Sequence, residues 1–155
     1  QIDHPGKRFI QRRLGAPSGP HCTALGKTIM ACLDRQTTQQ AFRKSGMPKM
    51  TAHTVTDMAL LDAELETIRR NGYGMDHEES IPGACCLAAP VRDQTGTVIA
   101  SISASLMTHS FFQQSETRLA TAVKTAAAEL SAEMGYRVVV ASLPDGPKHR
   151  LMSRA

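Results

Sequence analysis

Between residues 21 and 135 the apolar positions run at helical period, then at strand period, then at helical period again. In "HCTALGKTIMACL" (21–33), Leu25, Ile29 and Cys32/Leu33 recur at helical spacing, and Thr23 stands where a helix N-cap is needed. "TTQQAFRKSG" (37–46) predicts a short helix closing on Gly46. In "TVTDMALLDAELETIRRNGYG" (54–74), Leu61, Leu65 and Ile68 make one apolar stripe. Thr56 or Asp57 caps its start, and Asn71-Gly72 stops it, with Arg69 and Arg70 in the last turn where the helix dipole favours cations. From Gly83 the pattern becomes that of strands. "ACCLAAPVRD" (84–93) and "TVIASISASL" (97–106) flank "QTG", a tight hairpin connection. In the second strand Val98, Ala100, Ile102 and Ala104 share one face, and Ile99, Ser101, Ser103 and Ser105 the other. "SETRLATAVKTAAAELSAEMG" (115–135) predicts a long Ala-rich helix capped by Ser115 and stopped at Gly135.

The ends are read less regularly. "QIDHPGKRFIQRRLG" (1–15) predicts strand, turn at Pro5-Gly6, and strand. "APSGP" (16–20) is a loop, "YRVVVASL" (136–143) is a further strand or a tail, and the chain beyond Pro144 is expected to be disordered. A start directly on a strand reads as part of a longer polypeptide. The whole predicts an α+β domain with an antiparallel sheet and helices packed on it.

Composition narrows the class. At 155 residues, 41% apolar and 21% charged, the chain fits one globular domain. Aromatics are only 4%, without Trp, so a ligand cage would be built from aliphatic, small and polar side chains. No apolar run approaches the roughly 20 residues that span a bilayer, and the N-terminus has no signal-peptide core; the expectation is a cytoplasmic protein with no membrane contact. The net charge of +4 comes from scattered Lys and Arg with no DNA-recognition motif, which argues against direct nucleic-acid contact by this segment. Cys22, Cys32, Cys85 and Cys86 lack zinc or disulfide spacing and read as reduced thiols.

"GMDHEESIPGACCLAAPV" (74–91) gathers the residue types of metal and acid–base chemistry. His77, Glu78 and Glu79 are contiguous with no second His four residues on, so the zinc helix pattern is absent and no metal site is expected. The run reads instead as a solvated connection from helix to sheet. Cys86 as a nucleophile with His21 or His77 as base has no supporting motif around it, and the chain is read as a non-enzyme. The enzyme or metalloprotein alternative would use Cys86 with His77 or Glu78. A binding patch is the third reading. Ser103 and Ser105 point to one face, and Cys86 joins them if its parity opposes that face; a plain exposed sheet face explains the same serines. The helix start at Ala24 and Leu25 offers uncommitted N–H groups and a positive dipole end to a carboxylate or phosphate.

"PHCTALGKTIMA" (20–31), the run from Thr54 through Ser105, and "AELSAEMGY" (128–136) together resemble the effector-binding domain of IclR-type bacterial transcriptional regulators. The most specific part is the pattern G-Y-x-x-D-x-E-E, then G-x-x-C-x-A-A-P-V-x-D-x-x-G, then S-x-S. The resemblance covers roughly residues 1 to 136. It implies a GAF-like fold, a curved antiparallel sheet flanked by helices, with a metabolite pocket. It further implies an N-terminal winged helix-turn-helix domain missing from this chain; with the residue pattern beyond Pro144, 1–143 is read as the effector-binding domain and 144–155 as a tail. The implied partners are a small-molecule effector, operator DNA only through that missing domain, and further copies of the chain in a homodimer or homotetramer. No cofactor is implied. The ligand positions it carries over are Ala24 and Leu25 (backbone), Asp76, Cys86, Ser103 and Ser105, with Ala84 and Ile10 on the apolar side. Ala24 and Leu25 stand where some relatives have Gly and Ala, which leaves the width of the site open, and Cys85 is expected to point away from Cys86. The expected ligand is a hydroxy or keto acid, a sugar acid or an aromatic acid.

Overall fold

The computed structural model describes residues 19–137. A short 3-10 turn (Pro20–Cys22) leads into α1 (Ala24–Ala31), followed by α2 (Arg35–Ser45), α3 (Met58–Asn71), β1 (Gly74–His77), β2 (Ala84–Arg92), β3 (Val98–Met107), α4 (Thr108–Phe112) and α5 (Glu116–Glu133). Ile10, the segment predicted at 1–15, all of the 136–143 segment after Arg137, and the tail expected at 144–155 lie outside the described residues.

Local chemistry explains the boundaries. Thr23 caps α1 by accepting from the Gly26 N–H, and Asp57, the second of the two cap candidates, caps α3 by accepting from Leu60 N–H. Asp34 caps α2 two residues earlier than the sequence pattern indicates. Helix α3 stops at Gly72, whose left-handed backbone (φ 75°) places its N–H on the Ile68 carbonyl. The hairpin connection is five residues, Asp93 to Thr97, rather than a tight "QTG" turn, because the Asp93 carboxylate accepts from the Thr95 and Thr97 N–H groups and organises it.

The strands form an antiparallel sheet in the order β1-β2-β3. A register shift at Val91/Arg92 bulges β3 at its start, so the predicted two-faced alternation holds from Ala100 onward. Cys85, Leu87, Ala89 and Val91 face α5 and pack with Phe111, Ala120, Val123 and Ala127 in one core. The opposite face of the sheet carries α1. A second core joins Met30 and Ala31 of α1 to Phe42 of α2 and to Leu61, Leu65 and Ile68 of α3, the stripe anticipated from the pattern.

Helix α1 departs from its predicted stripe. Leu25, Ile29 and Leu33 are 40%, 37% and 42% exposed, whereas Ala24, Lys27, Thr28, Met30 and Ala31 are buried. Small side chains let α1 lie close on β2, and the Thr28 hydroxyl donates to the Ala88 carbonyl at 3.2 Å.

Candidate functional site

The antiparallel register builds the site row by row. Asp76 of β1 stands opposite Cys86 of β2, which stands opposite Ser105 of β3; Gly74, Ala88 and Ser103 make the next row. Residues directly opposite share a face, so Asp76, Cys86, Ser103 and Ser105 all look toward α1. The Cys86 Sγ and Ser105 Oγ are 3.1 Å apart. Ala84, two residues before Cys86, lies on the same face and is buried.

Helix α1 closes the other side with its N-terminal turn. The Thr23 hydroxyl takes the Gly26 N–H at 3.1 Å, and the first i to i−4 bond runs from Lys27 to Thr23. The N–H groups of Ala24 and Leu25 therefore stay outside the helix ladder, as the first N–H groups of any helix do. The Ser101 hydroxyl donates to the Leu25 carbonyl at 3.2 Å and ties this turn to β3. Between these walls is a cavity of about 100 Å³ lined by Ala24, Leu25, Asp76, Ala84, Cys86, Ser103 and Ser105. Seven of the eight positions expected from the sequence thus surround one space. Thr23, Ser80 and Ile81 also line it; they stand beside recognised positions, and nothing in their own pattern marked them.

Burial dominates the electrostatics. Asp76 is 3% exposed, and its carboxyl is pushed up to about 6, chiefly because burial disfavours its charge and secondarily because the Glu79 carboxylate is near. The Glu79 N–H donates to Asp76 Oδ1 at 2.8 Å and pulls the other way. Glu78 adopts a left-handed backbone (φ 58°), and its side chain accepts from the Gly83 N–H at 2.8 Å, closing the connection to β2.

One reading of the acidic run needs correction, and the alternative to it is not favoured. The run is not mostly solvated: His77 is exposed and Glu78 half-buried, but Glu79 is 6% exposed and its carboxylate lies 2.5 Å from the buried Lys27 ammonium. Nor does His77 serve Cys86. In register His77 opposes Cys85, so its ring turns to the α5 face and packs edge-on to Phe111 at 5.4 Å. Cys85 is fully buried on that same face, away from Cys86 as anticipated. Among the described residues no group of three His, Cys, Asp or Glu side chains converges in a metal-sized cluster.

Comparison with known proteins agrees with this architecture. Residues 1–132 match the family model for the bacterial transcriptional regulator IclR C-terminal region. The chain is 35% identical over 136 residues to the HTH-type transcriptional regulator KdgR of Dickeya chrysanthemi, covering 88% of this chain and 45% of that protein. It spans about half the length of the curated relatives it matches. The crystal structure of the C-terminal domain of E. coli KdgR superposes with a TM-score of 0.68 at 36% identity, over 76% of this chain and 71% of that one. A double mutant of the PobR inducer-binding domain from Acinetobacter, solved with 3-hydroxybenzoic acid, superposes at 0.64 and 26% identity, over 72% and 65%. The relatives are named as transcriptional regulators. An α+β domain with this sheet, this site and these relatives belongs to the IclR C-terminal family of bacterial transcriptional regulators.

Proposed function

We propose that this chain is the effector-binding domain of a transcriptional regulator, over residues 1–143, and that the cavity between α1 and the sheet receives a small organic acid. The observation that carries this reading is the convergence on one cavity of two unlike polar elements. One is the first turn of α1 at Ala24 and Leu25, whose N–H groups lie outside the helix ladder at the positive end of the helix dipole. The other is the row of Asp76, Cys86 and Ser105 with Ser103 beside it. The ligand carboxylate sits on the helix N-terminus, and its hydroxyl or carbonyl meets the serines and Asp76.

Size favours the shorter acids. A cavity of about 100 Å³ is smaller than the roughly 150 Å³ that accommodates benzene. A short hydroxy or keto acid matches that volume, whereas the aromatic acid held by PobR is larger. Effector occupancy would be read out through the arrangement of copies in a homodimer or homotetramer and of helix-turn-helix domains outside this chain, by binding one arrangement more tightly than the other.

Calorimetry with a panel of two- to four-carbon hydroxy and keto acids tests the reading. The expected result is saturable binding that Ser103→Ala weakens about 2- to 12-fold, the worth of one hydrogen bond of roughly 0.5–1.5 kcal/mol. Product accumulating during incubation would instead favour the enzyme alternative. Absence of any stabilising acid in a thermal-shift screen would favour a pure assembly module with a degenerate pocket.

A further inference from the structure

Lys27 is the largest fully buried side chain among the described residues, at 2% exposure. It lies one turn into α1 from Ala24, and its ammonium contacts Glu79 Oε1 at 2.5 Å and Glu64 Oε2 of α3 at 2.9 Å. None of these three residues lines the cavity. A buried ammonium is costly unless carboxylates compensate it, and such pairs are often no more stabilising than apolar residues of the same size. This pair is not optimised for stability either, since Glu79 Oε2 is buried with no hydrogen-bond partner among the described residues.

The pair adjoins the cavity wall. The Glu79 N–H donates to Asp76 Oδ1, and the Glu79 carbonyl accepts from the Thr54 hydroxyl at 2.7 Å and the Thr51 hydroxyl at 3.3 Å. Ser80 and Ile81, the next two residues, line the cavity. The opposite wall, Ala24 and Leu25, belongs to the same helix as Lys27. Building on the pocket reading above, we propose that Lys27 and Glu79 are positioning residues for this site: the hydrogen-bonded contact of their side chains clamps the wall at 76–81 to α1 and so sets the spacing between the anion-binding helix end and the Asp76 carboxyl. The groups that face Asp76 are Lys27 from α1 and Glu79 from the connection, with Glu64 of α3 behind Lys27 and Cys86 across the β1–β2 pair.

Two substitutions separate geometry from charge. Glu79→Gln keeps the reach to Lys27 and removes the charge; Glu79→Asp keeps the charge and shortens the reach by one methylene. Both are read in the 155-residue chain by carbon-detected NMR titration of the Asp76 carboxyl and by hydrogen exchange of the residue-79 amide, with the Leu65 and Leu87 amides as core controls. Glu79→Gln is expected to move the Asp76 titration down towards the ordinary carboxylate range while amide 79 keeps its protection. Glu79→Asp is expected to speed exchange at amide 79 at least tenfold while the core amides hold theirs. Unchanged protection at amide 79 in Glu79→Asp overturns the clamp, and so does parallel loss at all three amides, which would mean that the pair holds the whole fold. Should Glu79→Asp not fold, an Asp76 titration unmoved in Glu79→Gln overturns it alone. Pyruvate serves as the ligand probe, expected to bind Glu79→Asp at least fivefold more weakly than the unaltered chain. If pyruvate and its C2–C4 analogues fail on the unaltered chain while the amide and titration results hold, the ligand reading falls and the clamp stands.

Discussion

Asp76 holds a proton at unusually high pH because its carboxyl is buried, and that has two separable consequences. A carboxyl raised from 3.8 to about 6 in the folded state binds more protons folded than unfolded between those values. Its contribution to stability is complete below the unfolded value and is lost as pH rises through about 6. Asp76→Asn keeps an acceptor for the Glu79 N–H but abolishes the charge. The variant should therefore melt at a higher temperature than the unaltered chain at pH 8, with the gap narrowing as pH falls through 6 towards 4; thermal denaturation across that range checks it. The second consequence concerns ligand. A carboxylate with a pKa near 3.5 stays ionised from pH 8 to 5, whereas Asp76 becomes neutral over that range and ceases to repel it. Affinity for a small acid should rise as pH falls through 6, and Asp76→Asn should flatten the profile, as calorimetry at several pH values would show.

At the level of elements, the entry to α1 is the most exacting piece of packing around the site. A methyl group on Gly26 would stand 2.4 Å from the Pro20 carbonyl oxygen and 2.5 Å from its Cα, both backbone atoms. Gly to Ala inside a helix ordinarily gains up to about 1 kcal/mol, but overpacking of this kind costs about 1–3 kcal/mol. Gly26→Ala should therefore lower the denaturation midpoint despite its better propensity, and it should weaken ligand binding by displacing Ala24 and Leu25. Asp57→Ala makes the contrast. It removes the α3 cap, costs about 1 kcal/mol, and should leave affinity unaltered because α3 does not line the cavity. The same helices mark where sequence pattern carries information and where it does not. The α3 stripe was legible because Leu61, Leu65 and Ile68 pack into an apolar core in the usual way. The α1 face was not. Lys27 and Thr28 are buried through partners more than 35 residues away, Glu64, Glu79 and the Ala88 carbonyl, and no local periodicity reports a partner at that distance. For the same reason helical spacing singled out Leu25 and Ile29, which the fold leaves 40% and 37% exposed.

For the molecule as a whole, the sheet is what turns scattered positions into a site. Asp76, Cys86 and Ser105 are separated by 10 and 19 residues in the chain, yet the β1–β2–β3 register sets them side by side. Strand parity alone grouped Ser103 with Ser105. Asp76 and Ala84 came from family likeness, because the pairing of β1 with β2 has no short-range signal beyond four residues, Gly74 to His77. The acidic connection was the least legible part: its composition is that of a solvated loop, and only the three-dimensional approach of Lys27 makes Glu79 an interior residue. The central claim is that the cavity between α1 and the sheet takes a small organic acid. An amide-resolved NMR titration of the chain with short hydroxy and keto acids tests it most directly. The account predicts saturable shifts concentrated at Ala24, Leu25, Asp76, Cys86, Ser103 and Ser105. Shifts clustered elsewhere, for instance at the second cleft bordered by Arg69 and Arg92, or no saturable shift with any acid, would contradict it.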